Sequence, residues 1–183
     1  MIHYYKYYIF INELNETIKK NIKKLKNINV ILNFKITNNT FINKATEIIK
    51  FCRKNKIPFY LVDNVNIAKK LKANGVYITS NNKKINICTS KHPKFNLIGS
   101  AHNQMEYFIK YQQGCETIML SPIFYNIKYS INKILRPIRF NLIAKNWKGN
   151  LCALGGLTGK NIKKVQITKA KSVGFKSFIT KEK

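Results

Sequence analysis

Short apolar runs alternate with segments of helical periodicity along the whole chain, and this alternation restricts the fold more than any other feature. Eight apolar runs are predicted to be strands, at residues 5–11, 28–36, 58–62, 75–79, 96–101, 117–124, 151–156 and 175–180. Apolar residues at helical spacing predict helices at 15–27, 41–55, 65–73, 103–113, 140–147 and 158–165. The strands are continuously apolar, which is typical of parallel strands buried on both faces.

Eight strand units followed mostly by helices predict an α/β fold, and specifically a short, compact (β/α)8 barrel. We expect one domain over residues 1–183, because no stretch rich in Pro, Gly or Ser marks a linker. An open, doubly wound parallel sheet is the alternative fold. The first strand is not followed by Gly-x-Gly-x-x-Gly, which weakens a dinucleotide-binding role.

The formal net charge of +27 has two interpretations. Lysine outnumbers arginine 31 to 3, and lysine, isoleucine and asparagine have A/T-rich codons, so codon drift explains a solvated basic surface. The other interpretation is a selected site for phosphate-bearing ligands, which this field would attract. Nucleic acid is not the expected partner, because a DNA-binding protein would gain from the bidentate arginine fork.

Targeting and redox signals point to a cytoplasmic protein. No run of 18 apolar residues is present, so we expect no membrane span. The first residues lack the pattern of a secretory signal. The four cysteines form no Cys-x-x-Cys pair, so we expect reduced thiols and no zinc site.

Active sites of barrels lie at the carboxyl ends of the strands, so the residues there are the candidates. Asp63, the only aspartate in the chain, follows the third predicted strand and is either a ligand for Mg²⁺ or a helix cap. Gly155 and Gly156, ahead of a helix expected to start at Thr158, form either a phosphate site or a tight turn. His102 is either a proton-transfer group or a hydrogen-bonded structural histidine.

Taken together, the strand ends resemble the thiamine-phosphate synthase and thiazole tautomerase family. The resemblance rests on six short stretches in the family's order and spacing over nearly the whole chain, and no single stretch is specific. They are Ile-Leu-Asn-Phe-Lys at 31–35, Leu-Val-Asp at 61–63, Gly-Val-Tyr-Ile-Thr-Ser-Asn-Asn at 75–82, Gly-Ser-Ala-His at 99–102, Ser-Pro-Ile-Phe-Tyr-Asn at 121–126 and Ala-Leu-Gly-Gly-Leu at 153–157.

The resemblance implies an enzyme that joins hydroxymethylpyrimidine diphosphate to thiazole phosphate, with Mg²⁺ as cofactor. The products are thiamine phosphate and pyrophosphate, and the route passes through a pyrimidine cation. The resemblance also implies roles for single residues. Lys35 would bind the diphosphate, Asp63 the metal, and Ser100 would lie near the pyrimidine, while Lys128 lies close to the family's loop lysine. The backbone of Gly155 and Gly156 would bind the thiazole phosphate, and His102 matches the proton-transfer histidine of the tautomerase.

Several family residues are replaced in this chain. The second metal aspartate is Asn82, and the family's asparagine at the pyrimidine is Val62. Family residues are also replaced at Ile31, Asn33, Asn126, Lys128, Phe178 and Ile179. We assign Lys128 to the catalytic loop and the other five to substrate binding. Asn82 lacks the charge that Mg²⁺ prefers, and Val62 cannot form amide hydrogen bonds.

Three functional hypotheses follow. The first is a divergent thiamine-phosphate synthase that acts on small phosphorylated substrates. The second is a thiazole tautomerase working through His102, or a homologue that binds a phosphorylated metabolite without chemistry. The third is a basic, nucleic-acid-associated protein, which depends on charge alone. The sequence leaves the oligomeric state open, and a homo-oligomer is compatible with it.

Overall fold

A closed barrel of eight parallel strands forms the centre of the computed structural model, which describes residues 6–34, 39–85, 95–127, 129–147 and 149–176, without the side chains of residues 39 and 40. The strands are β1 (Lys6–Ile11), β2 (Ile28–Leu32), β3 (Phe59–Val62), β4 (Gly75–Ile78), β5 (Asn96–Ala101), β6 (Thr117–Leu120), β7 (Asn150–Leu154) and β8 (Ser172–Phe175). Each strand pairs with the next along the chain, and β8 pairs with β1 through the register Ile9 to Phe175. The barrel prediction is confirmed, and the open-sheet alternative is wrong.

In the described part of the chain, five α-helices connect the strands on the outside of the barrel. They are α1 (Glu16–Lys23), α2 (Asn39–Lys54), α3 (Val65–Lys70), α4 (Gln104–Gln112) and α5 (Arg136–Ile143). Two short 3-10 helices, Ile131–Lys133 and Ile162–Ile167, complete the connections that precede α5 and β8. No helix within the described ranges is long and apolar enough to span a bilayer.

Asparagine side chains start three of the helices. The side-chain oxygens of Asn15, Asn64 and Asn103 each accept a hydrogen bond from the backbone N–H three residues later, at 2.8, 2.9 and 2.9 Å. Such caps satisfy donors that a helix leaves unpaired at its first turn. The abundant asparagines of this sequence therefore act as N-caps for three of the helices.

Strand side chains divide into two apolar layers. One layer fills the barrel interior and consists of Tyr8, Phe10, Ile31, Tyr60, Val62, Tyr77, Ile98, Met119, Cys152 and Leu154. The other layer lies between the strands and the surrounding helices. Burial on both faces explains why the strands read as continuous apolar runs.

Element boundaries differ from prediction mainly in the last third of the chain. The helix predicted at 140–147 is α5, which starts four residues earlier with Pro137 in its first turn, a position that proline favours. The helix predicted at 158–165 is the 3-10 helix Ile162–Ile167. The last strand, predicted at 175–180, begins three residues earlier as β8 (Ser172–Phe175), and positions 177–180 of that prediction lie outside the described residues.

Three buried thiols make the folded state sensitive to alkali. Burial raises the pKa of Cys52, Cys115 and Cys152 from 9.0 to about 12. The unfolded chain loses these protons first, so the stability they contribute is complete below pH 9 and is lost as pH rises toward 12. We expect the stability difference between wild type and Cys152→Ala to shrink by about 1.4 kcal/mol per pH unit above pH 9.

Urea unfolding at pH 8.5, 9.5 and 10.5 measures this difference. Comparing the variant with wild type cancels the charge that the 31 lysines lose over the same range. A difference that stays constant with pH would contradict a buried thiol at position 152.

Candidate active site

A cavity of about 390 Å³ opens at the carboxyl ends of the strands. Its lining comes from the ends of six strands and the residues that follow them: Asn33, Phe34, Val62, Tyr77, Thr79, Ser80, Asn81, Ser100, His102, Ser121 and Lys176. A larger cavity of about 780 Å³ lies at the opposite pole. Barrels carry their chemistry at the carboxyl end, so the smaller cavity is the candidate active site.

Asp63 directly follows β3, and hydrogen bonds hold its carboxylate beside the cavity. Oδ1 accepts from the backbone N–H of Thr79 at 2.9 Å and from the Asn82 side-chain amide at 3.2 Å. Oδ2 accepts from the Thr79 hydroxyl at 2.7 Å. The backbone φ of Asp63 is +53°, a left-handed conformation that few residues other than Gly, Asn and Asp adopt easily.

The helix-cap interpretation of Asp63 is wrong. Asn64 caps α3, because its Oδ1 accepts from the N–H of Ile67 at 2.9 Å. The carboxylate of Asp63 is therefore not used at the helix start, and it faces the residues that follow β4 instead. Asn64 therefore caps α3, and Asp63 binds the residues that follow β4.

Asp63 and Asn82 lie together as predicted, but their donor set does not fit a magnesium ion held between them. The Asn82 amide N–H₂ points at Asp63, and its Oδ1 accepts from the backbone N–H of Lys84 at 3.2 Å. Mg²⁺ needs oxygen ligands, and here the only carboxylate already accepts three hydrogen bonds. The described residues contain no group of three His, Cys, Asp or Glu side chains that could hold a metal.

Ser121 holds the His102 ring in one orientation, because its carbonyl oxygen and, at 3.2 Å, its hydroxyl oxygen both lie within hydrogen-bond distance of Nδ1. Its Nδ1 lies 2.7 Å from the carbonyl oxygen of Ser121, and its backbone N–H donates to the Glu106 carboxylate at 2.8 Å. A carbonyl can only accept, so Nδ1 carries the proton and Nε2 is the basic nitrogen of the neutral ring. The ring lies beside that of Tyr129, with 5.8 Å between centroids. This arrangement suits a proton acceptor at the edge of the cavity.

The two residues that start α4, Asn103 and Glu106, take part in this arrangement. Asn103 accepts from the N–H of Glu106 at 2.9 Å, as expected for the cap. The carboxylate of Glu106 accepts from the backbone N–H of His102 at 2.8 Å and from the side-chain amide of Asn103 at 3.2 Å. The start of the helix therefore also fixes the backbone of His102.

Among the cavity residues that were not predicted to belong to the site, Tyr77 and Lys176 contribute a buried hydroxyl and a cation. Tyr77 points into the barrel beneath the opening, and burial raises its pKa to about 12, so its hydroxyl stays protonated. Its hydroxyl interacts with the side chain of Ser100, the residue predicted to lie near the pyrimidine. Lys176, just after β8, places its Nζ 5.1 Å from the centre of the Phe10 ring. An ammonium therefore lies over the open end of the barrel.

Gly155 and Gly156 follow β7 with φ values of +87° and +70°. A Cβ on Gly155 would lie 3.0 Å from Pro122, and one on Gly156 would overlap the carbonyl oxygens of Phe124 and Tyr125. Both glycines are therefore required by a tight turn, and the phosphate site at their backbone stays a prediction. The expected helix start at Thr158 is absent, so no helix dipole contributes there.

The other predicted positions fall into three groups. Asn33, Val62, Ser100 and His102 line the cavity together. Ile31 is fully buried in the barrel interior, and Asn126 lies in the loop after β6, where its carbonyl accepts from the N–H of Tyr129 at 2.9 Å. Lys35, Lys128, Phe178 and Ile179 lie outside the described residues.

The fold and the position of its polar cavity define a class: a parallel (β/α)8 barrel with a candidate site at the carboxyl ends of its strands. The sequence profile of thiamine monophosphate synthase matches residues 9–179. The chain belongs to that family.

Relatives and solved structures agree with this assignment. The chain is 28% identical to a thiamine-phosphate synthase of Staphylococcus haemolyticus over 142 residues, covering 75% of this chain and 66% of that protein. It is 28% identical to a thiamine-phosphate synthase of Flavobacterium johnsoniae over 143 residues, covering 74% and 68%. The matches therefore span about two thirds of each relative. A thiamine phosphate pyrophosphorylase from Pyrococcus furiosus has the same fold, with a TM-score of 0.74, 16% identity and coverage of 95% and 86%.

Proposed function

We propose that this protein joins hydroxymethylpyrimidine diphosphate to thiazole phosphate, giving thiamine phosphate and pyrophosphate. The observation that supports this most strongly is the family match over residues 9–179. The candidate cavity adds the two features that such a reaction uses: a cation over the barrel opening and polar groups around its wall. The free thiols of the three described cysteines fit a cytoplasmic location.

The reaction separates charge, so electrostatic stabilisation is the main task of the site. The carbon–oxygen bond to the diphosphate breaks, pyrophosphate takes the electron pair, and a pyrimidine cation remains. The thiazole nitrogen then forms the new carbon–nitrogen bond with its lone pair. Lys176 would stabilise the departing pyrophosphate, and we assign the same role to Lys35 and Lys128.

Other residues would position the substrates. Val62 offers an apolar wall and Ser100 a hydroxyl to the pyrimidine, while Asn33 follows β2, the strand next to the one that carries Val62. The backbone of Gly155 and Gly156 would bind the thiazole phosphate. His102 offers a basic Nε2 for proton transfer. Magnesium stays a prediction from the sequence, and the donor set of Asp63 and Asn82 gives it no support.

A steady-state assay of the purified protein with both precursors tests this function. Thiamine phosphate should accumulate only when both substrates are present, and pyrophosphate should appear in equal amount. Binding of the thiazole phosphate without turnover would refute the synthase and favour a homologue that binds the metabolite without chemistry.

Lys176→Met is expected to raise KM for the pyrimidine diphosphate about tenfold, because one charge-assisted contact to an anion contributes about 1.5–3 kcal/mol. Lys171→Met is the matched control, since Lys171 lies at the other end of β8 and lines the opposite cavity. Equal KM values for the two variants would contradict a role for Lys176 in binding the diphosphate.

A further inference from the structure

Helix α4 buries a lysine completely. Lys110 has an exposed fraction of 0%, and its Nζ donates to the carbonyl oxygens of Thr79 and Asn82, each at 2.7 Å, and to Oε1 of Gln113 at 2.8 Å. All three partner atoms can only accept, so the bonds require the protonated ammonium with its three N–H donors. Moving an ammonium out of water costs several kcal/mol, so its placement here calls for a reason.

Packing on the barrel wall has made room for this side chain. Gly99 in β5 lies beneath the Lys110 stem, and a Cβ on Gly99 would lie 2.8 Å from Cδ and 2.9 Å from Cβ of Lys110. The φ of Gly99 is not in the left-handed region, so glycine is required here by the close approach of Lys110 and of the Cys115 sulfur, which would lie 2.8 Å from the same Cβ. The pair Gly99 and Lys110 therefore forms one packing unit.

A neighbouring amide reinforces the contact. Gln113, 4% exposed, donates Nε2 to the carbonyl of Asn82 at 2.8 Å and to that of Lys84 at 2.9 Å. Lys110 and Gln113 together hold three carbonyl groups of residues 79–84, which we call the β4 loop. Nearly every polar atom of the two side chains is used for this purpose.

The same loop holds Asp63 from its other side. Thr79 accepts from Lys110 through its carbonyl and donates its N–H and hydroxyl to Asp63. Asn82 accepts from Lys110 through its carbonyl and donates its side-chain amide to Asp63. Burial lowers the pKa of Lys110, and the nearby Asp63 carboxylate is among the charges that oppose this. The β4 loop thus lies between a buried cation and the carboxylate at the cavity.

We propose that Lys110 is a positioning residue for the candidate active site, because its ammonium fixes the β4 loop so that Thr79 and Asn82 hold the Asp63 carboxylate. The effect on catalysis rests on the proposed function, whereas the effect on the loop does not. Lys110 contacts no substrate in this scheme and acts only through the loop.

Lys110→Met tests the proposal, because methionine keeps most of the stem and removes the charge and the donors. Hydrogen exchange followed by NMR should show at least an about tenfold loss of protection at the Thr79 amide, since the loop that carries this amide is no longer fixed. The kcat for thiamine phosphate formation should fall at least about tenfold with KM changed less than threefold. Lys20→Met, on the exposed face of α1, is the matched control and should alter neither.

Chemical rescue separates positioning from simple packing. In Lys110→Ala, propylammonium supplies the atoms and the charge that alanine lacks, and it should restore Thr79 protection and kcat, whereas 1-propanol should not. If the Lys110 variants do not fold, Gln113→Leu removes only the amide contacts and should partly loosen the Thr79 amide. Unchanged Thr79 protection in the folded variants, or equal rescue by the alcohol, would overturn the proposal. An inactive wild type with a loosened loop in Lys110→Met would overturn the proposed function and leave the positioning of the loop intact.

Discussion

Asp63→Asn is expected to lower kcat/KM for thiamine phosphate formation by at least about 100-fold, the range seen when a preorganised electrostatic group is removed from an active site. The substitution keeps the size of the side chain and a residue type that tolerates the φ of +53°. It removes the only aspartate of the chain and replaces one carboxylate oxygen with an N–H₂ group. That group donates and so cannot accept the hydrogen bonds that Thr79 and Asn82 give to Asp63. Initial rates under both-substrate conditions measure the loss.

Asn64→Asp is the matched control. Aspartate caps a helix as well as asparagine does, so α3 should keep its start while a new carboxylate stands one residue from the native one. We expect activity within twofold of wild type. If Asn64→Asp lost as much activity as Asp63→Asn, the exact position of the carboxylate would not matter.

Stability and metal dependence decide how Asp63 acts. Loss of hydrogen bonds to a charged acceptor should destabilise Asp63→Asn by about 2 kcal/mol, which leaves a folded protein to assay. Because the donor set does not fit a bound magnesium ion, the loss of activity should persist at every Mg²⁺ concentration. Recovery of the variant at high Mg²⁺ would show that Asp63 holds the ion.

The barrel could be predicted from the sequence because its strands are buried on both faces. A continuous apolar run such as Phe59–Val62 leaves a clear signal, and the predicted end of β3 and both predicted ends of β5 agree with the structure. The residues assigned to the strand ends also lie close together, since Val62, Ser100 and His102 line one cavity. Topology alone brings these distant residues together, because parallel strand ends share one edge.

The parts of the site that could not be predicted depend on side-chain direction. Nothing in the sequence distinguishes Lys110 from the exposed lysines of other helices, yet the glycine under its stem lets it turn inward. Asp63 and Asn64 are both good helix caps, and only the fold decides which one is used. Asn82 was expected to face a metal, but its amide faces Asp63.

Weak local signals explain the wrong boundaries near the end of the chain. Ser172 and Gly174 are small residues that read as loop, although they form β8 because larger neighbours fill the barrel interior around them. Lys176 consequently lies at the cavity rather than inside a strand. The sequence therefore did not predict that Lys176 provides a cation at the candidate site.

Gly156→Ala is expected to destabilise the protein by about 3 kcal/mol or more, because it combines a left-handed backbone with a steric overlap. The φ of Gly156 is +70°, and the new Cβ would overlap the carbonyl oxygens of Phe124 and Tyr125. Those are backbone atoms, so no side chain can rotate away and the loop after β6 must shift. Urea unfolding measures the change in the free energy of unfolding.

Kinetics then connect this packing to function. A displaced turn should raise KM for the thiazole phosphate at least about tenfold and leave KM for the pyrimidine diphosphate within twofold, since only one substrate is assigned to this turn. Gly159→Ala is the control, because a Cβ at Gly159 meets no atom within 4 Å and its backbone is not left-handed. Equal effects on both KM values would show that the turn supports the whole cavity. An effect on the thiazole phosphate alone would support the assignment of Gly156 to that substrate.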